Sequence, residues 1–175
     1  MELYDVILKR RSIRSYSAEE IPEDALNRII EAGLLAPTSR NRKPCEFFVI
    51  RDKALLQELS EVKPMGGAML KGCSAAIAVM GDSDKADTWI EDSSIALTYM
   101  QLMATDLGVG SCWCQIRLRK SSDGSDAESC VRRLLSAPDN LRIVGILALG
   151  MPESEPAPHS PEDADWSKVH SLTGE

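Results

Sequence analysis

The apolar positions of the chain fall into four short continuous runs separated by longer stretches of helical period. Phe47-Phe48-Val49-Ile50, Ala75-Ala76-Ile77-Ala78-Val79-Met80, Gly110-Ser111-Cys112-Trp113-Cys114-Gln115-Ile116 and Ile143-Val144-Gly145-Ile146-Leu147-Ala148-Leu149 are each bounded by turn residues. Runs this short predict strands near 46–51, 74–81, 111–116 and 142–150. Between them, Leu3, Val6 and Ile7 predict a short first helix. Leu26, Ile29, Ile30 and Leu34 predict a second, opened by Ile21-Pro22-Glu23-Asp24 and stopped by Pro37. Asp52 is placed to cap a third carrying Leu55, Leu56 and Leu59, which Pro64-Met65-Gly66-Gly67 interrupts. The stretch from Trp89 to Leu107 holds neither Gly nor Pro, so it predicts the longest and most buried helix, with Gly108 as its left-handed stop. Asp92, near its start, reads as a solvated or capping acid without a role. Ser125 and Glu128 form a capping-box pattern ahead of Val131, Leu134 and Leu135, and Pro138 closes that helix. Alternating strands and helices predict one domain over 1–175, a central mixed sheet covered by helices, and a proline-rich extended arm over 151–175.

Composition narrows the function more than the fold. A net charge of −7 argues against a general nucleic-acid binder, and no apolar run approaches a membrane span. The start, Met1-Glu2-Leu3-Tyr4-Asp5, lacks a basic and then apolar leader, so a cytoplasmic location is expected. The five cysteines are expected to be reduced thiols. Cys112 and Cys114 would share one strand face as buried, inert groups, and no metal site is expected. Both histidines, His159 and His170, lie in the tail, so no nucleophile–base pair is in view. Neither a Gly-x-Gly-x-x-Gly turn nor a Walker loop is present.

Two basic stretches stand out against the acidic balance. Lys9-Arg10-Arg11-Ser12-Ile13-Arg14 places four cations and a hydroxyl in succession at the end of the first helix. Cations there suit the helix's negative pole and a solvated face. They also suit a phosphate, because guanidinium forks match its oxygens and Ser12 adds a donor. Ala36-Pro37-Thr38-Ser39-Arg40-Asn41-Arg42-Lys43-Pro44 is polar, basic and bracketed by prolines, hence a loop.

Taken in order, these segments resemble the motifs of the nitroreductase family of FMN-dependent oxidoreductases. Arg10 to Arg14 resembles its phosphate motif, and Ala36 to Pro44 its second motif. Asp106-Leu107-Gly108-Val109-Gly110-Ser111-Cys112-Trp113 is similar to its third, Ala148-Leu149-Gly150-Met151-Pro152 to the end of its last core strand, and Lys168-Val169-His170 to its C-terminal phosphate contact. The resemblance implies an α+β nitroreductase-like fold and an intertwined homodimer with FMN at the subunit interface. It also implies electron transfer from NADH or NADPH to a small electron-poor acceptor, such as a nitroaromatic or a quinone, by a ping-pong cycle. By the same resemblance Arg10, Arg11, Ser12 and Arg14 would hold the phosphate and polar edge. Pro37, Thr38, Ser39 and Asn41 would reach the other subunit's flavin. Trp113, Cys114 and Gln115 would line the ring, and Lys168 with His170 would close on the phosphate. The chain departs from the family where Lys43-Pro44-Cys45 stands for the common Gln-Pro-Trp, since Lys43 donates but cannot accept. It departs again where His170 stands for a common arginine. Two other classes remain open: a non-catalytic flavin-binding or regulatory module, and, least consistent with the charge, a nucleic-acid surface.

Overall fold

The computed structural model describes residues 1–172. The four apolar runs form β1 (Cys45–Ile50), β2 (Ala75–Asp82), β3 (Gly110–Gln115) and β4 (Leu141–Gly150), in the spatial order β1-β2-β4-β3. Among the described residues six α-helices surround them: α1 (Leu3–Lys9), α2 (Glu23–Leu34), α3 (Lys53–Glu61), α4 (Met69–Gly72), α5 (Trp89–Asp106) and α6 (Ala127–Leu134).

The expected mixed sheet is corrected: all three ladders are antiparallel, and Ser12 with Ser111 form an isolated parallel bridge. The reason lies in the connections. After β1 the chain leaves along α3 and returns over 62–72, where Lys53 Nζ donates to the Cys73 carbonyl at 3.1 Å. β2 therefore starts where β1 ends, with Ile50 opposite Ala76. α5, about 27 Å long at 1.5 Å per residue, then carries the chain back across the sheet. β3 thus runs in the direction of β2, as a helical crossover requires, but β4 lies between them and opposes both.

β4 is buried along its whole length except at Arg142. One side of the sheet packs Leu56, Leu59, Leu70, Cys112, Cys114 and Ile146. The other packs Leu26, Ile29, Ile77, Leu97, Met100 and Leu147 beneath α2 and α5. Two glycines admit this density. A Cβ on Gly145 would lie 2.5 Å from Trp113 Nε1, and one on Gly150 would lie 2.6 Å from Tyr16 Cδ1.

Several local expectations change. Only Val6 of α1 is buried, while Leu3 and Ile7 are exposed. α5 is the longest helix and ends at Gly108 with φ +73, yet it leaves Ile95 and Tyr99 exposed. Leu34 and Leu35 at the end of α2 are also exposed, and a groove of about 420 Å³ opens between Met1, Leu3, Val6, Ala32, Tyr99 and Met103. Asp52 caps α3 as expected, accepting from Leu55 N at 2.7 Å. At α6 the cap is Asp126, not Ser125; it accepts from Ser129 N at 2.9 Å, a charged acceptor displacing a hydroxyl. Glu128 turns inward and takes both Nε and Nη2 of Arg142 and the buried Ile143 N–H, the last at 3.2 Å. No helix of the described residues is long and apolar enough to cross a membrane.

Glu128→Ala strips the Ile143 amide of its acceptor within the core and is expected to destabilise the fold by about 2 kcal/mol. Urea unfolding measures this; an unchanged midpoint would mean the pair contributes nothing.

Candidate active site

The first basic stretch leaves α1 at Arg10, where the backbone turns extended. Ile13 N donates to Ser111 O at 2.9 Å, and Tyr16 Oη donates back to Ile13 O at 2.7 Å. This lays the stretch against the start of β3, and its extended backbone divides its side chains. Ser12 is bridged to Ser111 at the start of β3, and Arg10 and Arg14 lie near enough to the Cys112 thiol for their charges to pull against its burial. Lys9 and Arg11 lie toward the C-terminal arm. Lys9 Nζ is 3.4 Å from Glu155 Oε2, Arg11 Nη1 donates to Ala157 O, and His159 N donates to Leu8 O at 2.8 Å.

β3 is an edge strand. Ser111 turns its carbonyl outward to Ile13, and the alternation of an antiparallel ladder turns the Trp113 and Gln115 backbone groups outward as well. Lys63 Nζ meets that edge, donating to Gln115 O at 2.6 Å, and Cys114 Sγ donates to Gly66 O at 3.2 Å. The side chains above the edge satisfy one another: Trp113 Nε1 donates to Gln115 Oε1 at 2.9 Å, and Gln115 Nε2 to Arg117 O at 3.0 Å. The edge is thus flanked by Arg10, Ser12 and Arg14 at one end and Lys63 at the other. Lys63 is a residue that sequence reasoning missed. It lies in the break after α3, and only the packing of that break on β3 brings it in.

Cys112 and Cys114 share the core side of the strand. Burial pushes both thiols up, outweighing the cations that pull the other way. Burial also raises Cys73, to about 11, and drives the Tyr16 phenol far above its ordinary range. These groups are neutral packing elements at physiological pH, not nucleophiles.

The second basic stretch lies elsewhere. Pro44 O accepts from Asp82 N at 2.9 Å, beside the first residues of β4, whereas Ser111 pairs with Leu149 near the end of β4. About 24 Å of strand, at 3.4 Å per residue, separates the two ends. One chain therefore does not bring Pro37, Thr38, Ser39 and Asn41 to Arg10, Ser12 and Arg14. Arg40, Asn41 and Lys43 have φ of 52, 54 and 48, a left-handed conformation that Arg and Lys rarely adopt. Asp92 is the second missed residue. It is 2% exposed and accepts from Ser39 N at 2.9 Å and Thr88 Oγ1 at 3.2 Å, so it is neither solvated nor idle. Its position was the signal, three residues after Trp89 and four before Ala96 on the buried face of α5. Lys168 pairs with Asp165 of its own turn at 3.3 Å and His170 is exposed. Among the described residues neither is bonded to 10–14.

The arrangement is an open strand edge with outward amides, bordered by guanidinium, hydroxyl and ammonium donors, which suits a flat, hydrogen-bonding ring carrying an anionic group. The comparisons agree in class. The family model "Nitroreductase family" matches residues 7–65 and 57–151. A Clostridium difficile protein titled an FMN-dependent nitroreductase superposes with a TM-score of 0.94 at 38% identity, over 98% of this chain and 99% of that one. An Archaeoglobus fulgidus protein, named as a candidate NADH dehydrogenase or NAD(P)H nitroreductase, is 35% identical over 158 residues, 88% of this chain and 87% of its own. The NADH dehydrogenase of Thermus thermophilus is 29% identical over 187 residues, 86% of this chain and 87% of its own. The chain belongs to the nitroreductase family.

The raised thiols set a pH dependence. Cys73 ionises near its ordinary value when unfolded but only near 11 when folded. Above pH 9 the unfolded chain releases this proton first, so stability is full below pH 9 and falls as pH rises toward 11. Urea midpoints between about pH 8 and 11 should decline, and a flat profile would count against a buried, protonated Cys73.

Proposed function

We propose that this chain is an FMN-dependent oxidoreductase that passes electrons from NADH or NADPH to a small electron-poor acceptor. The observation that carries the reading is the open edge of β3, with the segment of Arg10, Ser12 and Arg14 bonded to its start through Ser111 and Lys63 bonded to its end through Gln115. The donor set fits the cofactor: guanidinium forks and a hydroxyl for the phosphate, outward amides and an ammonium for the polar rim of the ring. When bound, FMN would supply the redox chemistry, two-electron exchange first with the nicotinamide and then with the second substrate in a ping-pong cycle.

The protein's part is to bind and orient. Arg10 and Arg14 hold the phosphate with Ser12, while Arg11, occupied by the Ala157 carbonyl, secures the arm behind them. Trp113 and Gln115 present their backbone N–H groups, their side chains being held by each other. Cys114 turns its thiol into the core and its backbone toward Ile146 of β4, so its part is to pack the strand rather than to touch the ring.

Pro37, Thr38, Ser39 and Asn41 act on the flavin of a second copy, since their own cluster lies at the other end of the sheet. The homodimer this requires is supported by the exposed apolar residues Leu3, Ile7, Leu34, Leu35, Ile95 and Tyr99 on and beside α1, α2 and α5. Lys168 and His170 belong to the arm of the same assembly. Light scattering is expected to give twice the chain mass, and a monomer that still binds FMN would overturn the shared site.

The purified protein is expected to be yellow and to bleach anaerobically with NADH or NADPH, with parallel initial-rate lines when both substrates are varied. Replacing Arg10 and Arg14 together by alanine should weaken FMN binding by about tenfold to a hundredfold, the loss of charge-assisted hydrogen bonds, with the unfolding midpoint retained. Unchanged affinity would remove the phosphate assignment. Flavin bound without NAD(P)H oxidation would favour the non-catalytic module.

A further inference from the structure

We propose that Asp92 is a positioning residue that fixes the conformation of loop 38–43 and so sets the geometry in which Thr38, Ser39 and Asn41 are presented. Burying a carboxylate is unfavourable unless its oxygens are met. Asp92 lies in the first turn of α5, on the face that packs Trp89, Ser93 and Ala96 inward. Both of its oxygens are occupied. Oδ1 accepts from Ser39 N at 2.9 Å and Oδ2 from Thr88 Oγ1 at 3.2 Å. Ser39 N is the first amide of the 3-10 turn Ser39–Asn41, which carries no side-chain cap of its own from Thr38. Asp92 reaches across from another element to supply that acceptor.

The residues after Ser39 need such a tether. Arg40, Asn41 and Lys43 all have positive φ. Asn tolerates that region, but Arg and Lys enter it only where the surroundings impose it. The remaining ties are at the surface. Lys43 N donates to Thr38 Oγ1 at 3.0 Å, Lys85 Nζ to Lys43 O at 3.0 Å, and Arg42 Nη1 to Lys85 O at 3.3 Å. Arg42 also pairs loosely with Asp87, at 3.7 Å. Water competes for all of these, while the Asp92 carboxylate is shielded from it. The helix that spans the sheet thus anchors the strained loop through one buried charge. Its consequence for FMN rests on the proposed function; its hold on the loop does not.

The loop carries its own reporter, because trypsin cuts after Arg40 and Arg42. In the full chain, Asp92→Ala is expected to speed nicking at these two bonds by about tenfold and to weaken FMN binding by about tenfold, the size of one lost hydrogen bond to a charge. Asp92→Asn keeps an acceptor for Ser39 N and a polar partner for Thr88. It should stay within about threefold of the unaltered chain in both measurements. Where Asp92→Ala does not fold, Thr88→Val releases Oδ2 alone and should give a smaller acceleration at the same bonds. Unchanged nicking in Asp92→Ala or Thr88→Val, or an Asn variant cut as fast as Ala, overturns the tether. Faster nicking with unchanged FMN affinity overturns the role in presenting the loop. Failure of the unaltered chain to bind FMN instead overturns the flavin reading, and the nicking series then judges the tether by itself.

Discussion

The structure depends on close approach at two bare Cα positions of β4. Gly145 lets the Trp113 indole lie against the strand, and Gly150 does the same for the Tyr16 ring. Without the first, β3 could not carry Trp113 in register with Leu147 on β4, where Gly145 lies two residues away. Without the second, the segment after the cation cluster would stand off the sheet. Tyr16 packs on Gly150 and returns its hydroxyl to the Ile13 carbonyl, while the Ile13 amide reaches Ser111. These short contacts turn a flexible basic stretch into a fixed border of the β3 edge. The arm then closes over the back, through Ser17 N to Met151 O at 2.9 Å and Glu153 N to Ser15 O at 3.2 Å.

That border gives an acidic protein a local surface suited to an anion. The net charge of −7 sets the far field, but screening confines distant charges to about a Debye length. Along the β3 edge the local sign is positive, with Arg10 and Arg14 at one end and Lys63 at the other. Three acids of the arm are engaged within it or with α1: Glu155 with Lys9, Asp163 with His159, and Asp165 with Lys168. The alternation of the extended segment sorts its cations as well. Neighbours in sequence end on opposite sides, one set at the strand edge and the other on the arm.

The four strands were legible to within about one residue, because fully buried strands read as continuous apolar runs. Their order was not. Whether β4 inserts between β2 and β3 is decided by packing across the sheet, and alternation of strands with helices carries no record of it. The first basic cluster was legible as a suitable chemistry, and its ordered company of motifs identified the family. The division of that cluster between edge and arm was hidden, since it follows from the Ser12–Ser111 bridge. Ser125 and Glu128 matched a capping pattern, yet Asp126 and Arg142 offered stronger partners, so local pattern yielded to charge. Lys63 left no trace in the sequence. Asp92 did: a carboxylate at an inward position of a buried helix must have a partner, and the period of α5 already placed it there.

The placement of strain argues for how the two basic stretches are related. Left-handed Arg and Lys residues raise the energy of loop 38–43, and the fold commits a buried carboxylate and several surface bonds to hold them. Within one chain this arrangement serves nothing visible, because the loop lies about 24 Å of strand away from Arg10, Ser12 and Arg14. A site built by two copies resolves this. Each copy would give its cation-bordered edge to one flavin and its tethered loop to the other, and the apolar face over α1, α2 and α5 would become the buried contact between them. Folding stability and site geometry would then be coupled through α5. This helix packs on the sheet with Leu97 and Met100, leaves Ile95 and Tyr99 exposed, and ends its first turn on the loop through Asp92.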